Sequence, residues 1–402
     1  NGVEFDRNNA SICDNNGKLL FYTNGCAVAD STHNVMPNGY DINKGDFLDL
    51  IWGNNCENGY PGQQDITILP DPSNESSYYI VHKPTEYVPE NNPSVYLDKL
   101  QYTLVDMHEN QGLGDVIQKN VIFYNDRILS SYLTSISHSN QKDWWILQPK
   151  EKDNCFLSFI LNENGIQLSD SICIGPDFMY NSSASGDAKF SPDGTLYAYF
   201  NVFDNLLLFD FDRESGLLSN LRQLSIPSDT IFSFSTIEFS PNSRFLYFAI
   251  TDSLWQLDLH EPELIDGLEF IDSYDGYLDP FPTTFFLSTL APNCKIYIRP
   301  GSGSYSMHVI NKPNEKGKAC DFQQHSIKLP LPTATGGFPN FPRFRVDEDE
   351  VCDPTITSVF DMPVYTRKEL AVSPNPTSGI IQIEIPDSRS GYIRVIDIDG
   401  RE

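Results

Sequence analysis

The 402-residue sequence predicts an all-β chain built as a β-propeller, and three observations carry that reading. The composition joins 26 Phe and 20 Tyr to 27 Pro and 25 Gly, so aromatic strand formers alternate with turn formers. Prolines at 192, 241 and 292 mark a strand–turn–strand unit that recurs about every 50 residues. Further strands follow each unit, and four antiparallel strands per repeat make one propeller blade.

The clearest copies span residues 188–197, 237–247 and 288–297. Their turns are Ser191-Pro192-Asp193-Gly194, Ser240-Pro241-Asn242-Ser243 and Ala291-Pro292-Asn293-Cys294. In each, an apolar strand enters, Pro with Asp or Asn sets the turn, and an aromatic strand leaves. A third strand follows at residues 206–211 and 254–259, and a fourth ends near Leu224-Ser225-Ile226-Pro227. Weaker copies occupy residues 11–22, 66–81 and 135–147, giving six units. A last strand at residues 336–341 is placed to complete a seventh blade with Val3-Glu4-Phe5. Joining both chain ends in one blade protects the sheet edges, so seven blades are the preferred count and six the alternative. A β-sandwich or β-helix fits the four-strand period poorly. The propeller is expected over residues 1–346, a linker beginning Asp347-Glu348-Asp349-Glu350 over 347–369, and the start of a small β-sandwich over 370–402.

Charge narrows the partners. With 27 Lys+Arg against 55 Asp+Glu the net charge is −28, which repels nucleic acid and anionic lipid. At 40% hydrophobic and 12% aromatic residues the chain is too apolar for an acidic disordered tail. It contains no apolar run long enough for a membrane-spanning helix. Residues 1–10 lack the basic start and apolar stretch of a signal peptide, so the sequence is read either as cytosolic or as beginning after processing. The eight cysteines form no CxxC pair and none has a histidine at zinc spacing. Two disulfides suit the repeat, Cys155 with Cys173 across one hairpin and Cys294 with Cys320 inside another unit.

Residues 370–402 carry a more specific pattern. Ser373-Pro374-Asn375-Pro376-Thr377-Ser378-Gly379 precedes the alternating stretch at 381–385, and Tyr392-Ile393-Arg394-Val395-Ile396-Asp397-Ile398-Asp399-Gly400-Arg401 follows. This resembles the C-terminal sorting domain of type IX secretion substrates of Bacteroidetes bacteria, an Ig-like β-sandwich. The resemblance implies a sorting signal at Ser373, Pro374, Asn375, Pro376, Gly379, Asp397 and Gly400. It also implies the type IX machinery as a partner and a secreted, extracellular or outer-surface location. Such domains run through several more strands, so the sequence is read as holding about half of one.

Residues 3–345 resemble a repeat region of large secreted Bacteroidetes proteins, described as WD40-like or uncharacterised. The matching segments include residues 19–25, 36–39 and 114–116, the turn at 190–194, residues 314–320 and Phe338-Pro339-Asn340-Phe341. That family carries no agreed catalytic residues. Cys294 stands where its turn glycine is usual, which implies a weakened turn or a covalent role.

No catalytic, cofactor or metal residues are assigned. HExxH, GxSxG, P-loop and EF-hand patterns are all missing. The run Asp397-Ile398-Asp399-Gly400 mimics a calcium loop but fits the sorting hairpin. No cofactor is expected, and no motif specifies a structural divalent cation. His138 and His82 are placed to reach a channel mouth, although surface or satisfied histidines are the commoner outcome. Asp210 and Asp212 alternate with Phe209 and Phe211 and so share one strand face, read as solvated. Trp144, Trp145, Tyr78, Tyr79, Tyr87, Tyr274 and Tyr277 suit blade packing or an exposed carbohydrate or protein surface. Asp170-Ser171-Ile172, Asp229-Thr230-Ile231 and Asp252-Ser253-Leu254 resemble the O-glycosylation triplet of Bacteroidetes. The leading expectation is a secreted binding module for protein, glycan or another copy of itself. The rivals are an extracellular hydrolase or lyase using the channel mouth, and a structural subunit of an extracellular assembly. The balance leans away from an enzyme.

Overall fold

The computed structural model describes residues 3, 8–52, 59–88, 94–177, 186–201, 203, 205–226, 235–250, 252–301, 303–330, 332, 337–344, 346 and 352–355, and the backbones of 371–373 and 382–384. Residues 1–356 form one unit, and within it six antiparallel sheets succeed one another along the chain as the blades of a propeller. Blade one is β1 (Ala10–Cys13), β2 (Leu19–Thr23) and β3 (Val28–Asp30). Blade two is β4 (Ile66–Asp71), β5 (Asn74–His82), β7 (Ser94–Asp106) and β8 (Asp115–Ile128), with the short β6 (Glu86–Val88) beside β7. Blade three is β9 (Thr134–Ser137), β10 (Trp144–Pro149), β11 (Cys155–Asn162) and β12 (Gly165–Cys173). Blade four is β13 (Gly186–Phe190), β14 (Leu196–Asn201), β15 (Asn205–Asp212) and β16 (Leu217–Leu224). Blade five is β17 (Ser235–Phe239), β18 (Phe245–Ile250), β19 (Ser253–Asp258) and β20 (Leu268–Ser273). Blade six is β21 (Leu287–Leu290), β22 (Ile296–Arg299), β23 (Ser306–Ile310) and β24 (Phe322–Lys328).

The first strand of each blade lines the central channel. We call the end where these strands begin the upper face, and the end where they turn back the lower face. The repeated turns lie on the lower face and share one design. Gly194, Ser243 and Cys294 each return a backbone N–H to the residue three before (2.9, 2.9 and 3.0 Å), and each has positive φ (71°, 59° and 63°). Asp193 and Asn242 accept from Ser191 and Ser240 and fasten the turn from inside.

Apolar faces of neighbouring blades pack against each other. Between blades three and four, Tyr132, Ile136, Trp145 and Phe156 meet Phe190, Tyr197, Tyr199 and Phe209. Phe156 sits edge-on to Phe209 at 5.0 Å between ring centroids. Comparable clusters join blades one to two, two to three, four to five and five to six. Among the described residues none of these clusters spans blades six and one.

Among the described residues of this unit six sheets form, not the preferred seven; Glu4, Phe5 and Gly336 of the expected seventh blade lie outside the described residues. Residues 337–344 enter no blade; they run down the channel, where Arg343 bridges Ile136 of β9 in parallel. Their polar groups find partners on the inner strands, as detailed below, so a seventh outer sheet is not where this segment is stable. The Cys155–Cys173 disulfide forms across the β11–β12 hairpin, where the two residues are in register. Cys294 pairs with Cys352, not with Cys320, which is a buried thiol. Cys320 belongs to the apolar cluster between blades five and six, whereas Cys294 sits on the lower-face turn that the returning chain reaches.

Residues 357–402 form a second unit, in which β25 (Ala371–Ser373) pairs antiparallel with β26 (Gln382–Glu384). Ser373 ends β25, while Pro374, Asn375, Pro376, Gly379, Asp397 and Gly400 lie outside the described residues. No described helix is long and apolar enough to cross a membrane.

One glycine reports directly on the ring. A Cβ at Gly186 would stand 2.1 Å from the Phe200 carbonyl oxygen and 2.3 Å from Tyr132 Oη, one in the adjacent strand and the other in the preceding blade. Gly186→Ala is expected to cost about 3 kcal/mol, measured by denaturant unfolding, with Gly45→Ala, where nothing lies within 4 Å, as the tolerated control. Equal stabilities for the two variants would contradict this packing of blade three against blade four.

Candidate functional site

Strand alternation decides what the channel wall presents. On β13, Ala188 and Phe190 point into the interblade core, so Asp187 and Lys189 point the other way. The same alternation brings Thr236 and Glu238 of β17 to the wall, with Ser288 of β21, Ser135 of β9 and Thr67 of β4. These side chains are linked from blade to blade. Thr67 and Ser135 hydroxyls share a hydrogen bond of 3.1 Å. Thr236 lies 2.8 Å from Ser288 and donates to Asp187 at 3.2 Å. Glu238 accepts the Leu290 N–H at 3.0 Å.

Two carboxylates therefore face two cations. Lys189 Nζ lies 3.8 Å from Asp187 and 3.9 Å from Glu238, and Arg343 reaches Glu238 at 3.5 Å. Burial pushes the Asp187 carboxyl up to about 6, opposed by Lys189 and reinforced by Glu238. A carboxyl with that affinity for protons suits general acid work, and here it is engaged by Thr236 and Lys189. The cavity between Gln64, Ser135, Lys189, Asn340 and Arg343 measures about 20 Å³, room for one water.

The described residues of 337–346 meet the first five blades along the channel, and Cys352 and Asp353 meet the sixth. The Gly337 carbonyl accepts from Asn9 Nδ2 and the Asn340 N–H donates to the Asn9 carbonyl, just before β1. Asn340 Nδ2 donates to the carbonyls of Ile66 in blade two and Leu133 beside blade three (3.0 and 2.9 Å). Arg343 exchanges backbone hydrogen bonds with Ser135 and Ser137, and its guanidinium donates to the Phe190 carbonyl in blade four and Glu238 in blade five. Val346 then packs with Ile136 and Phe190, and Cys352 is tied to Cys294 in blade six. The Asp353 N–H adds a hydrogen bond to Pro292.

A second buried charge pins blade two to blade three near the upper face. Lys83 is wholly buried and meets Asp65 at 2.6 Å, while donating to the Ser131 carbonyl, Gln148 Oε1 and the Leu129 carbonyl (2.6, 2.9 and 3.1 Å). Burial lowers its proton affinity and Asp65 opposes the fall. Every donor of the ammonium is satisfied by the protein, so this is a structural ion pair.

The residues singled out from the sequence scatter rather than converge. His138 lies in a lower-face turn, stacked on Trp145, with Nδ1 accepting the Asn140 N–H. His82 is buried between Asn43 and Thr103 (2.6 and 3.0 Å), and burial pushes it down to about 3. Asp210 pairs with Arg222 and Asn220, and Asp212 accepts from Ser215 in a turn. Trp144 and Trp145 are buried; Tyr78, Tyr79, Tyr87 and Tyr274 are half-buried, and Tyr277 is exposed. Of the glycosylation triplets, Ser171 is exposed on β12, Ser253 is half-buried, and Thr230 lies outside the described residues. Asp187, Glu238, Lys189 and Arg343 were not singled out beforehand. The alternation on β13 and β17 was a usable signal; the position of Arg343 had none.

No family model and no curated protein matches the chain. Solved structures do. One is a Bacteroides fragilis protein provisionally described as a 6-phosphogluconolactonase, 11% identical, covering 81% of this chain and 95% of its own, with a TM-score of 0.38. A Bacteroides caccae protein of unknown function is 9% identical, covering 84% and 96%, with a TM-score of 0.41. A functionally unknown protein of Desulfotomaculum acetoxidans is 14% identical, covering 69% and 89%, with a TM-score of 0.34. At these levels none of them bears on activity.

The raised Asp187 has a measurable consequence. Its folded value of about 6 exceeds the ordinary 3.8, so the native state binds the extra proton and stability falls as pH rises between those values. Asp187→Asn is expected to remove that loss, of order 3 kcal/mol, in denaturant unfolding from mild acid to neutral pH. The buried His82 and His308, pushed down to about 3 and 4, slope the other way, so the informative quantity is the difference between variant and wild type. A difference that does not change with pH would refute the assignment.

Proposed function

We propose that the protein is an extracellular interaction module, exported by a type IX secretion system, that presents upper-face loops on a rigid propeller to a protein, a glycan or a second copy. The observation that supports this reading is the segment around Asn340 and Arg343, tied to the inner strands along the channel. A propeller enzyme working at its channel mouth needs open space beside its catalytic groups. Here Asn340 and Arg343 of the chain itself occupy that wall, and the buried carboxylates are matched by cations. A fold that is rigid at its axis and carries loops at its rim supports binding.

The export half of the proposal rests on the motif residues Ser373 to Gly379 and Asp397 to Gly400. In a Bacteroidetes host producing the full gene product, deletion from Ser373 onward is expected to move the propeller from the cell surface to the periplasm. Cell fractionation and surface protease shaving check this. Unchanged surface display of the deleted form would contradict the export assignment.

A further inference from the structure

The loop between β20 and β21 is fixed in place yet exposes apolar side chains. The Tyr277 carbonyl accepts from Tyr274 Oη (2.6 Å) and Thr283 Oγ1 (3.1 Å), and the Asp279 carbonyl accepts the Tyr305 N–H (3.2 Å). Phe281 is nevertheless 54% exposed and Tyr305 37%. Large apolar groups held on an ordered loop, not collapsed inward, mark a contact surface.

Phe281 is joined to Asp279, whose N–H donates to the Phe281 carbonyl at 3.0 Å, and polar groups are arranged around Asp279 and Tyr277 before any ligand arrives. Tyr277 stacks on His325 at 4.2 Å, and His325 Nε2 lies 2.8 Å from Asp275 Oδ2. Lys328 Nζ donates to Tyr277 Oη, Asp279 and Ser306 Oγ (3.0, 3.2 and 2.7 Å). The Ser306 hydroxyl donates to Asp279 and holds that carboxyl below the usual aspartate range. Donors on Lys328 and acceptors on Asp275 and Asp279 thus share one surface with an aromatic ring.

We propose that this upper-face surface of blade six, with Phe281 as apolar platform and Asp275, Asp279, His325 and Lys328 as polar rim, binds a neutral saccharide. The inference rests on reading the chain as a binding module and names the ligand class of one site. A sugar ring offers an apolar C–H face and a rim of hydroxyls that each donate and accept, which is the complement of this array. Two carboxylates against one lysine disfavour acidic sugars and phosphates. Side chains already fixed by their own hydrogen bonds lose little freedom on binding.

The test uses the intact chain and a panel of neutral disaccharides, cellobiose, mannobiose, galactobiose and xylobiose, with digalacturonate as the acidic probe. Saturation-transfer NMR and titration calorimetry are expected to show binding of at least one neutral sugar. Phe281→Ala and Asp275→Asn, both exposed positions, should each weaken it at least tenfold with unchanged circular dichroism. Digalacturonate should not bind. No transfer to any neutral sugar, equal affinity in both variants, or digalacturonate binding as tightly would overturn the proposal. Self-association that Phe281→Ala abolishes, without sugar binding, would reassign the surface to a second copy. The export test described above is scored separately. Failure of sugar binding with the export test passed removes only this site, whereas unchanged surface display of the chain deleted from Ser373 removes the wider reading.

Discussion

The structure depends on how the inner edges of the blades are satisfied. Each innermost strand turns a backbone edge toward the channel, and such an edge calls for partners. On β13 Gln64 bonds both backbone groups of Ala188, and on β21 Thr236 and Glu238 accept from Ser288 and Leu290. On β9 the partner is the chain's own residue Arg343, which gives its N–H to Ser135 and takes one from Ser137. The same short segment is held by Asn9 in front of blade one and by Cys294 in blade six. Five neighbouring blade pairs are joined by apolar clusters, and the segment supplies a covalent and hydrogen-bonded tie across the remaining pair. It acts as an axle, with spokes to every blade.

Charge is distributed in keeping with that role. The chain carries −28 overall, yet the buried charges described here come in matched sets: Lys83 with Asp65, and Lys189 with Arg343 against Asp187 and Glu238. A buried ion left alone is costly, and removing one member of a set leaves the other uncompensated. Both sets here join one blade to another. The acidic excess is left for the surface, where self-repulsion favours solubility.

Much of the fold was legible because it is local. The Ser-Pro-Asp-Gly turn and its relatives are closed by groups within five residues of one another, so they could be read directly from sequence. The Cys155–Cys173 pair lies across a single hairpin and was equally legible. The axle was not. Asn9 and Gly337 are 328 residues apart, and Asn340 meets Ile66 across 274, so no periodicity announces them. The last strand-like stretch, Phe338-Pro339-Asn340-Phe341, reads as an ordinary blade strand; only the carbonyl acceptors at Asn9, Ile66 and Leu133 place it in the channel. Cys294 was half legible: its place in a glycine position pointed to a covalent role, but its partner lay beyond the repeat. The surface on blade six was legible only as Tyr274 and Tyr277. His325 and Lys328 come from a strand some 50 residues later, and the sheet alone brings them to that loop.

The central claim is that residues 337–355 hold the six blades together. Hydrogen–deuterium exchange on the intact chain, with and without substitution of both Arg343→Ala and Cys352→Ser, tests it most directly. The account predicts that the six inner strands β1, β4, β9, β13, β17 and β21 lose protection together in the doubly substituted chain, while the outer strands β12, β16 and β20 change little at first. Unchanged protection of all six inner strands would contradict it.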